Sequence, residues 1–345
     1  MRVAIDARKI ADFGIGTYIR GLLRGLAEID DDSEYVILGP ASLRDVIPAA
    51  FEHVVVDAPH YSMTELFRVG RAANATRADV LHAPHYVVPF TSIPVVVTIH
   101  DLIHLRVRHA NPLAPLYART MLRRAVRKSA CVLTVTAAVR HDITARLHGD
   151  ESKIRVTPNG VDARFVPDGP RAQRRKPYFL FVGNDKPHKN VERLVEAFGR
   201  SRAASSSELL LAGSGFERFR SRAGAVGVGF VSDDELAALY RGAVALVIPS
   251  LDEGFGLPAL EAMACGTAVI TSTAPALVEV TADAALHVEP ADIDAIASSI
   301  DTLASHDRLR QELAARGLER ARSFTWRRCA ELTIEAYRAA ASVAR

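Results

Sequence analysis

Ser250-LDEGFGLPALEAMAC-Gly266 is the most informative stretch of this chain. An apolar strand, Ala243–Pro249, runs into a glycine-bearing loop, and Pro258 stands where the first helical residue is expected. Proline suits that place because its missing N–H needs no helical partner there. The helix runs to about Cys265, and Gly266 ends it as a C-terminal cap. The backbone N–H groups of Phe255, Gly256 and Leu257 then sit at a helix start, which attracts anions such as phosphate. Glu253 lies in the preceding loop, beside Gly254, and Glu261 in the first turn of the helix. Acids around an anion site make sense when the ligand also offers hydroxyl donors, one set on a hexose and one on a ribose, as a nucleotide sugar does. The plainer alternative leaves Glu261 complementing the helix dipole and Glu253 as an ordinary loop carboxylate.

The same strand–loop–helix rhythm runs through the chain. Val3–Ile5, Tyr35–Leu38, His53–Val56, Val80–His82, Val95–Thr98 and Cys131–Val135 are short apolar runs without strict alternation. That is how strands covered on both faces of a parallel sheet read. Helical patterns such as Thr17–Ile29 and Pro115–Ser129 lie between them, which predicts an open α/β sheet. The segment Pro158–Lys176, rich in Pro, Gly and then charge, reads as a linker. The rhythm restarts with Tyr178–Val182, Glu208–Ala212, Val228–Phe230, Ala245–Ile248, Ala268–Thr271 and Leu286–Val288, and closes with helices over Leu303–Arg322 and Trp326–Ala344. The expected domains are 1–167, joined by 326–345, and 176–325, with a crevice between them.

Composition narrows the function. The 345 residues are 49% hydrophobic and 24% charged, within the globular range. Lys plus Arg number 43 against 40 Asp plus Glu, too even for a dedicated nucleic-acid binder. Cys131, Cys265 and Cys329 have neither zinc-ligand nor CxxC spacing, which points to a reducing compartment. The N-terminus lacks the apolar core of a signal peptide, and no uncharged run approaches the ~20 residues of a membrane span. The expected location is cytoplasmic, with peripheral contact at the inner face of the cell membrane. Asp30-Asp31-Asp32 reads as a solvated turn rather than a D-x-D metal motif.

Three further stretches carry chemistry. In Phe181-VGNDKPHKNVERLVEA-Phe198 a strand gives way to a loop and a helix, and Lys189 can reach a diphosphate. In Lys9-IADFGIGTYIRGLLRG-Leu26, Gly14 and Gly16 permit close backbone approach, and Thr17 is placed to cap a helix. In Val95-VVTIHDLIH-Leu105 a buried strand ends at His100, where crevices of open α/β sheets lie. His100 and His104 have i, i+4 spacing, but they follow a strand and no third ligand accompanies them, so no metal site is assigned.

Together these stretches resemble the retaining glycosyltransferases of family 4 (glycosyl transferases group 1), and within them the mannosyltransferase-like branch. The resemblance runs from residue 1 to Tyr337. It implies a GT-B fold: two Rossmann-like α/β domains facing each other across a crevice, with a C-terminal helix, Phe324-TWRRCAELTIEAY-Arg338, crossing back to the first. It implies transfer of a hexose from a nucleotide diphosphate sugar with retention, without a bound metal or other cofactor. GDP-mannose is the leading donor, and the acceptor is a glycan or lipid-linked molecule in cell-surface polysaccharide synthesis. Glu253 then contacts the donor hexose and Glu261 the ribose. Lys189, the backbone of Gly254, Phe255, Gly256 and Leu257, and the Gly14–Gly16 loop meet the diphosphate. His100 lies near the hexose, and Val231 in Gly229-FVSDDELAAL-Tyr240 beside the nucleobase, with Ser232 next to it. The loops of Asp79-VLHAPHYVV-Pro89 are read as facing the acceptor. The sequence departs from the family at Asn184, where an Arg is usual, and Lys186 or His188 is the candidate replacement. A helix carrying Arg119, Arg123, Arg124, Arg127 and Lys128 is read either as a solvated face or as a contact with anionic membrane. Open alternatives are UDP-glucose or UDP-N-acetylglucosamine as donor, a nonhydrolysing nucleotide-sugar epimerase, and a noncatalytic scaffold. A dehydrogenase is disfavoured because no G-x-G-x-x-G with a following acid succeeds a strand.

Overall fold

A computed structural model describes residues 1–60, 62–106, 114–219 and 222–342. The chain runs β1 (Arg2–Asp6), α1 (Phe13–Ala27), β2 (Glu34–Gly39), β3 (Glu52–Val55), α2 (Met63–Ala75), β4 (Val80–Ala83), β5 (Val95–Ile99), α3 (Ala114–Lys128), β6 (Cys131–Thr134), α4 (Ala137–Leu147) and β7 (Ile154–Val156). It continues β8 (Tyr178–Asn184), α5 (Val191–Arg200), β9 (Glu208–Ser214), β10 (Ala225–Gly229), α6 (Asp233–Gly242), β11 (Ala245–Ile248), α7 (Leu257–Ala264), β12 (Val269–Ser272), α8 (Pro275–Thr281), β13 (Ala285–Val288), α9 (Ile293–Ser305), α10 (Asp307–Ala321) and α11 (Trp326–Ser342). Two compact units result: Met1–Gly160 with Thr325–Arg345, and Val161–Phe324.

The first unit holds a seven-stranded sheet in the order β3-β2-β1-β4-β5-β6-β7. All its pairings are parallel. Alternate residues of each strand go to opposite faces. Val3, Ile5, Ile37, Val96 and Leu133 pack with α1 and α11. Ala4, Val36, Leu38, Val97 and Val132 pack with α2, α3 and α4. Both faces are covered, which is why the strands read as continuous apolar runs. The second unit repeats the design with six parallel strands, β10-β9-β8-β11-β12-β13. Phe179, Phe181, Leu209, Leu211, Val247 and Ile270 form its main core with α5 and α9.

The C-terminal helix α11 belongs to the first unit, where it lies along α1. The approach is close because α1 presents glycine: a Cβ on Gly21 would meet the Trp326 ring at 2.1 Å, and one on Gly25 would meet the Trp326 carbonyl at 2.3 Å. Beneath this contact, Tyr337 OH lies 2.7 Å from His82 Nδ1, and His82 Nε2 lies 2.8 Å from Thr98 Oγ1. Tyr18 OH completes the chain, 3.0 Å from the same hydroxyl. All four residues are fully buried, and burial pushes the His82 pKa down to about 3. The ring is therefore neutral, and its two nitrogens can be satisfied by hydroxyls alone.

Several expectations are corrected. Helix α1 begins at Phe13 after an N-cap at Asp12, so Gly14 and Gly16 lie in its first turn and Thr17 caps nothing. The Asp12 carboxylate is taken by Lys9 instead, at 2.9 Å. The helix expected over Leu303–Arg322 is two helices broken at His306, whose φ of −118° and ψ of 81° leave the helical region. Its N–H and ring Nδ1 both bond to the Thr302 carbonyl at 3.0 Å and close α9. The strand expected at Val228–Phe230 lies earlier, at Ala225–Gly229, and ends where Gly229 turns to φ +73°. Strand β7 was not among the expected strands, because Arg155 stands between its two apolar residues. Residues 161–176 are not a free linker. Phe165 is buried edge-on to Tyr240, Arg241 donates to the Val166 and Pro170 carbonyls, and Ala172 N–H bonds to Ala238 O, so the stretch packs on the second unit. The end of the helix expected to Ala344 lies outside the described residues.

Tyr337→Phe is expected to destabilise the protein by roughly 1–3 kcal/mol, because it strands a buried imidazole nitrogen. Urea unfolding followed by circular dichroism measures it, and a loss near zero would remove the hydrogen-bonded chain from the account of how α11 is held.

Candidate functional site

In the second sheet the chain leaves β8 for β9 and β10 on one side, then crosses to β11 on the other. The two loops that follow β8 and β11 therefore splay apart at a topological switch point, the place where open α/β sheets bind ligands. Glu253 and Lys189 stand on these two loops. Lys189 Nζ donates to Glu253 Oε1 at 2.7 Å, and Ser250 Oγ donates to the same oxygen at 2.8 Å. Both charged side chains are mostly buried, at 18% and 10% exposure.

Backbone contacts hold the loops in register. Leu251 N–H bonds to His188 O at 2.7 Å. Asn190 is buried in a left-handed conformation, φ +60°, which asparagine tolerates better than most residues. Its Nδ2 donates to the Pro249 carbonyl at 2.9 Å and the Pro290 carbonyl at 2.7 Å. Past Glu253 the backbone turns at Gly256, φ +94°, and enters α7 with Pro258 in its first turn. A Cβ on Gly256 would also meet Leu277 at 2.4 Å, so this turn requires glycine. Gly254, Phe255, Gly256 and Leu257 thus form the N-terminal approach to α7, as the sequence indicates, and Gly266 follows the helix at φ +71°.

Glu261, one turn into α7, accepts a hydrogen bond from Tyr240 OH at 2.8 Å. Burial nevertheless pushes its pKa up to about 7. Asn184 ends β8, and its Oδ1 is buried with no hydrogen-bond partner among the described residues. The adjacent Asp185 carries a bidentate pair with Arg218, at 2.5 and 2.9 Å. Arg218 also bonds to Glu192, so two carboxylates neutralise this cation. Lys186 is exposed. Val231 is partly exposed just past β10, whereas the Ser232 hydroxyl is committed to a capping box with Glu235 at the start of α6.

In the first unit the switch point lies between β1 and β4. His100 follows the neighbouring strand β5. Its Nε2 lies 3.0 Å from the Pro84 carbonyl, and its ring stands edge-on to Tyr18 at 4.7 Å. A carbonyl only accepts, so Nε2 carries the proton. Burial lowers the His100 pKa, so the ring is neutral at neutral pH and Nδ1 is an acceptor. Gly14 and Gly16, in the first turn of α1, follow β1. A Cβ on Gly14 would meet nothing within 4 Å, whereas one on Gly16 would strike the Ile10 carbonyl at 2.3 Å.

The sequence reading missed a charge cluster at the end of β1. Arg8 donates to Asp6 at 2.7 and 2.8 Å and to Glu65 at 2.7 Å, all three fully buried or nearly so. His85 Nε2 lies 3.4 Å from Asp6. Burial alone raises the Asp6 pKa, but His85 and the Arg8 guanidinium outweigh it and hold the group well below the usual range. Asp6, Glu65 and His85 are grouped closely enough to ligate a metal, yet Arg8 already occupies both carboxylates. Asn190, Ser250 and Tyr240 were missed too. Only the Lys189-Asn190 pairing before a helix hinted at any of them.

Two family profiles cover most of the chain: Glycosyltransferase Family 4 over residues 14–165, and Glycosyl transferases group 1 over residues 165–320. The chain belongs to the glycosyl transferases of group 1. This glycosyltransferase is 28% identical to O-antigen chain mannosyltransferase B of Escherichia coli, over 94% of this chain and 96% of the relative. It is 34% identical to the MMP alpha-(1->4)-mannosyltransferase of Mycolicibacterium hassiacum, over 63% of this chain and 56% of the relative. Its fold is similar to that of sucrose-phosphate synthase from Thermosynechococcus elongatus, with a TM-score of 0.79, 21% identity and 98% of each chain covered. The enzyme is a GT-B hexosyltransferase built from two Rossmann-like parallel α/β units.

In this transferase Glu261 keeps its proton in the folded chain up to about pH 7, against an ordinary value of 4.5. Between those values the folded state binds more protons than the unfolded state, so this group's contribution to stability is lost as pH rises through the window. Glu261→Gln removes that dependence. The stability difference between wild type and variant is expected to change by roughly 3 kcal/mol across the window, measured by urea unfolding at a series of pH values. Parallel curves for the two proteins would contradict the raised pKa.

Proposed function

We propose that the enzyme transfers a hexose, with mannose from GDP-mannose the leading donor, to a glycan or lipid-linked acceptor in cell-surface polysaccharide synthesis, with retention at the anomeric carbon. The Lys189–Glu253 pair at the switch point of the second sheet carries this reading: it sets a cation for the diphosphate beside an acceptor for sugar hydroxyls. The mannosyltransferase names among the relatives support the sugar and the pathway class.

In this reading the diphosphate lies between the Lys189 ammonium and the N–H groups at the start of α7, from Gly254 to Leu257. Negative charge grows on the leaving phosphate as the glycosidic bond breaks. Preorganised donors stabilise it there without reorganising, much as an oxyanion hole does. In the first turn of α1 the Gly16 N–H is already bonded to Asp12 O, so Gly14 is the one of the two glycines read as a further backbone donor. Lys189 and the helix N-termini thus do the work a divalent cation does elsewhere, and activity is expected to survive EDTA. Glu253 accepts from the hexose hydroxyls. Glu261 accepts from the ribose, and ribose binding draws it into its charged form. His100, with Nε2 tied to Pro84 O, offers Nδ1 to a hexose hydroxyl and acts in positioning. Val231 sits beside the nucleobase. Asn184 replaces the family's Arg with a neutral amide, so Lys189 is the principal cation on the diphosphate. UDP-glucose or UDP-N-acetylglucosamine is the second donor reading.

No helix among the described residues is long and apolar enough to cross a membrane. The exposed arginines Arg119 and Arg123 on α3 fit peripheral contact with anionic lipid at the cytoplasmic face.

Lys189→Ala and Glu253→Ala are each expected to lower kcat/KM by at least about a hundredfold, the scale of losing one preorganised charge contact, with the circular dichroism spectrum unchanged. Wild-type turnover in either variant refutes the assignment. A thermal-shift series with GDP, UDP, ADP and their sugars identifies the donor, since ligand at 100 times its Kd stabilises by about 2.7 kcal/mol.

A further inference from the structure

A second site stands at the opposite edge of the first sheet. Val95 opens β5, Ala130 immediately precedes β6, and Lys153 immediately precedes β7. These three strands are neighbours, and at their N-terminal ends lies an open cavity of about 700 Å³. His100, by contrast, follows the C-terminal end of β5. The cavity is therefore separate from the ligand edge described above.

Its lining is basic. Arg124, Arg127 and Lys128 come from the last turns of α3 and Lys153 from the turn before β7, and no Asp or Glu lines it. None of the four forms an ion pair among the described residues. The nearest acids in sequence are engaged locally: Asp150 accepts from Ser152, and Glu151 faces Arg140 at 3.8 Å. The C-terminus of a helix carries only about half a negative charge, so it does not balance four cations. Two wall donors also lack partners among the described residues, Arg124 Nε and Ser129 Oγ, and Ser129 is only 2% exposed. Buried donors are ordinarily satisfied. Arg124 is held in place by stacking on Phe90, 4.5 Å from the ring centre.

We propose that this cavity binds a phosphoryl group carrying two or more negative charges. Uncompensated cations on two elements, one of them preoriented by an aromatic ring, match a compact oxyanion. The group reaches the cavity either on a soluble molecule or as a lipid headgroup. The proposal is independent of which sugar nucleotide the enzyme uses.

The test compares wild type, the cavity variant Lys128→Glu/Lys153→Glu, and a control of equal charge change, Arg202→Glu/Arg308→Glu, whose side chains are 95% and 93% exposed on the second unit. Inorganic pyrophosphate is titrated calorimetrically into each full-length protein, and each is cosedimented with vesicles containing phosphatidic acid, whose phosphomonoester carries up to two negative charges. Pyrophosphate binding at the Lys189 site is common to all three and cancels. A built site predicts that the cavity variant weakens binding of at least one probe roughly tenfold, equivalent to removing about 1.4 kcal/mol, while the control stays within about twofold of wild type. Loss for pyrophosphate identifies a soluble ligand, and loss for vesicles alone identifies a headgroup. Equal loss in both variants would show only diffuse surface charge and overturn the proposal. So would binding of both probes unchanged in the cavity variant.

Discussion

The ion pair between Lys189 and Glu253 ties together the two loops at the switch point of the second sheet. It joins loops that follow strands adjacent in space but far apart in sequence, and it does so at low exposure, where an unpaired charge is expensive. The cost is met by a third group, Ser250 Oγ, and by an environment that the backbone has already fixed. Asn190 pins its own loop to the ends of β11 and β13, and Leu251 returns a hydrogen bond to His188. The charged pair is thus the last piece of a rigid frame. A ligand entering there finds a cation and an acceptor already oriented, and the entropy of ordering them was lost at folding.

The first unit uses polar burial differently. At the end of β1, Arg8 cross-links Asp6 and Glu65, and His85 completes the group. Under the α1–α11 contact, Tyr337, His82, Thr98 and Tyr18 form an uncharged relay. Each buried polar atom in the relay has a partner, so the cost of its desolvation is offset. The relay also reaches the functional edge, because the Tyr18 ring supports His100. Through Tyr18, His100 is thus packed against the same hydrogen-bonded chain that holds α11.

The two ends of the first sheet carry different side chains for one reason. Parallel strands put every loop after a strand at one edge and every loop before a strand at the other. The edge after the strands gathers His100 and the first turn of α1. The edge before them gathers the end of α3 and the turn into β7, with their lysines and arginines. The length of a strand therefore separates the neutral His100 ring from the cluster of basic side chains at the other end.

Much of this was open to the sequence alone. Buried strands announce themselves as apolar runs, and the two-unit α/β design follows from their alternation with helices. The Glu253–Gly266 segment, with Pro258 in the first turn and Gly266 past the last, reads correctly because local backbone preferences dominate there. Reading failed where the deciding contact is remote. Phe165 draws 161–176 onto the second unit through Tyr240. Reading failed also where two local contacts compete, as where His306 bonds back to Thr302 and breaks a helix, and where Asp12 rather than Thr17 begins α1. The partners of the key side chains were equally hidden: Ser250 and Lys189 on Glu253, Tyr240 on Glu261, Pro84 on His100. Residue types at a given spacing determine which local structures form and which chemistries are available. Which of those groups meet, how dry the meeting place is and what protonation state results depend on the strand order, and only the folded chain decides that, because burial and hydrogen bonding are properties of neighbours in space.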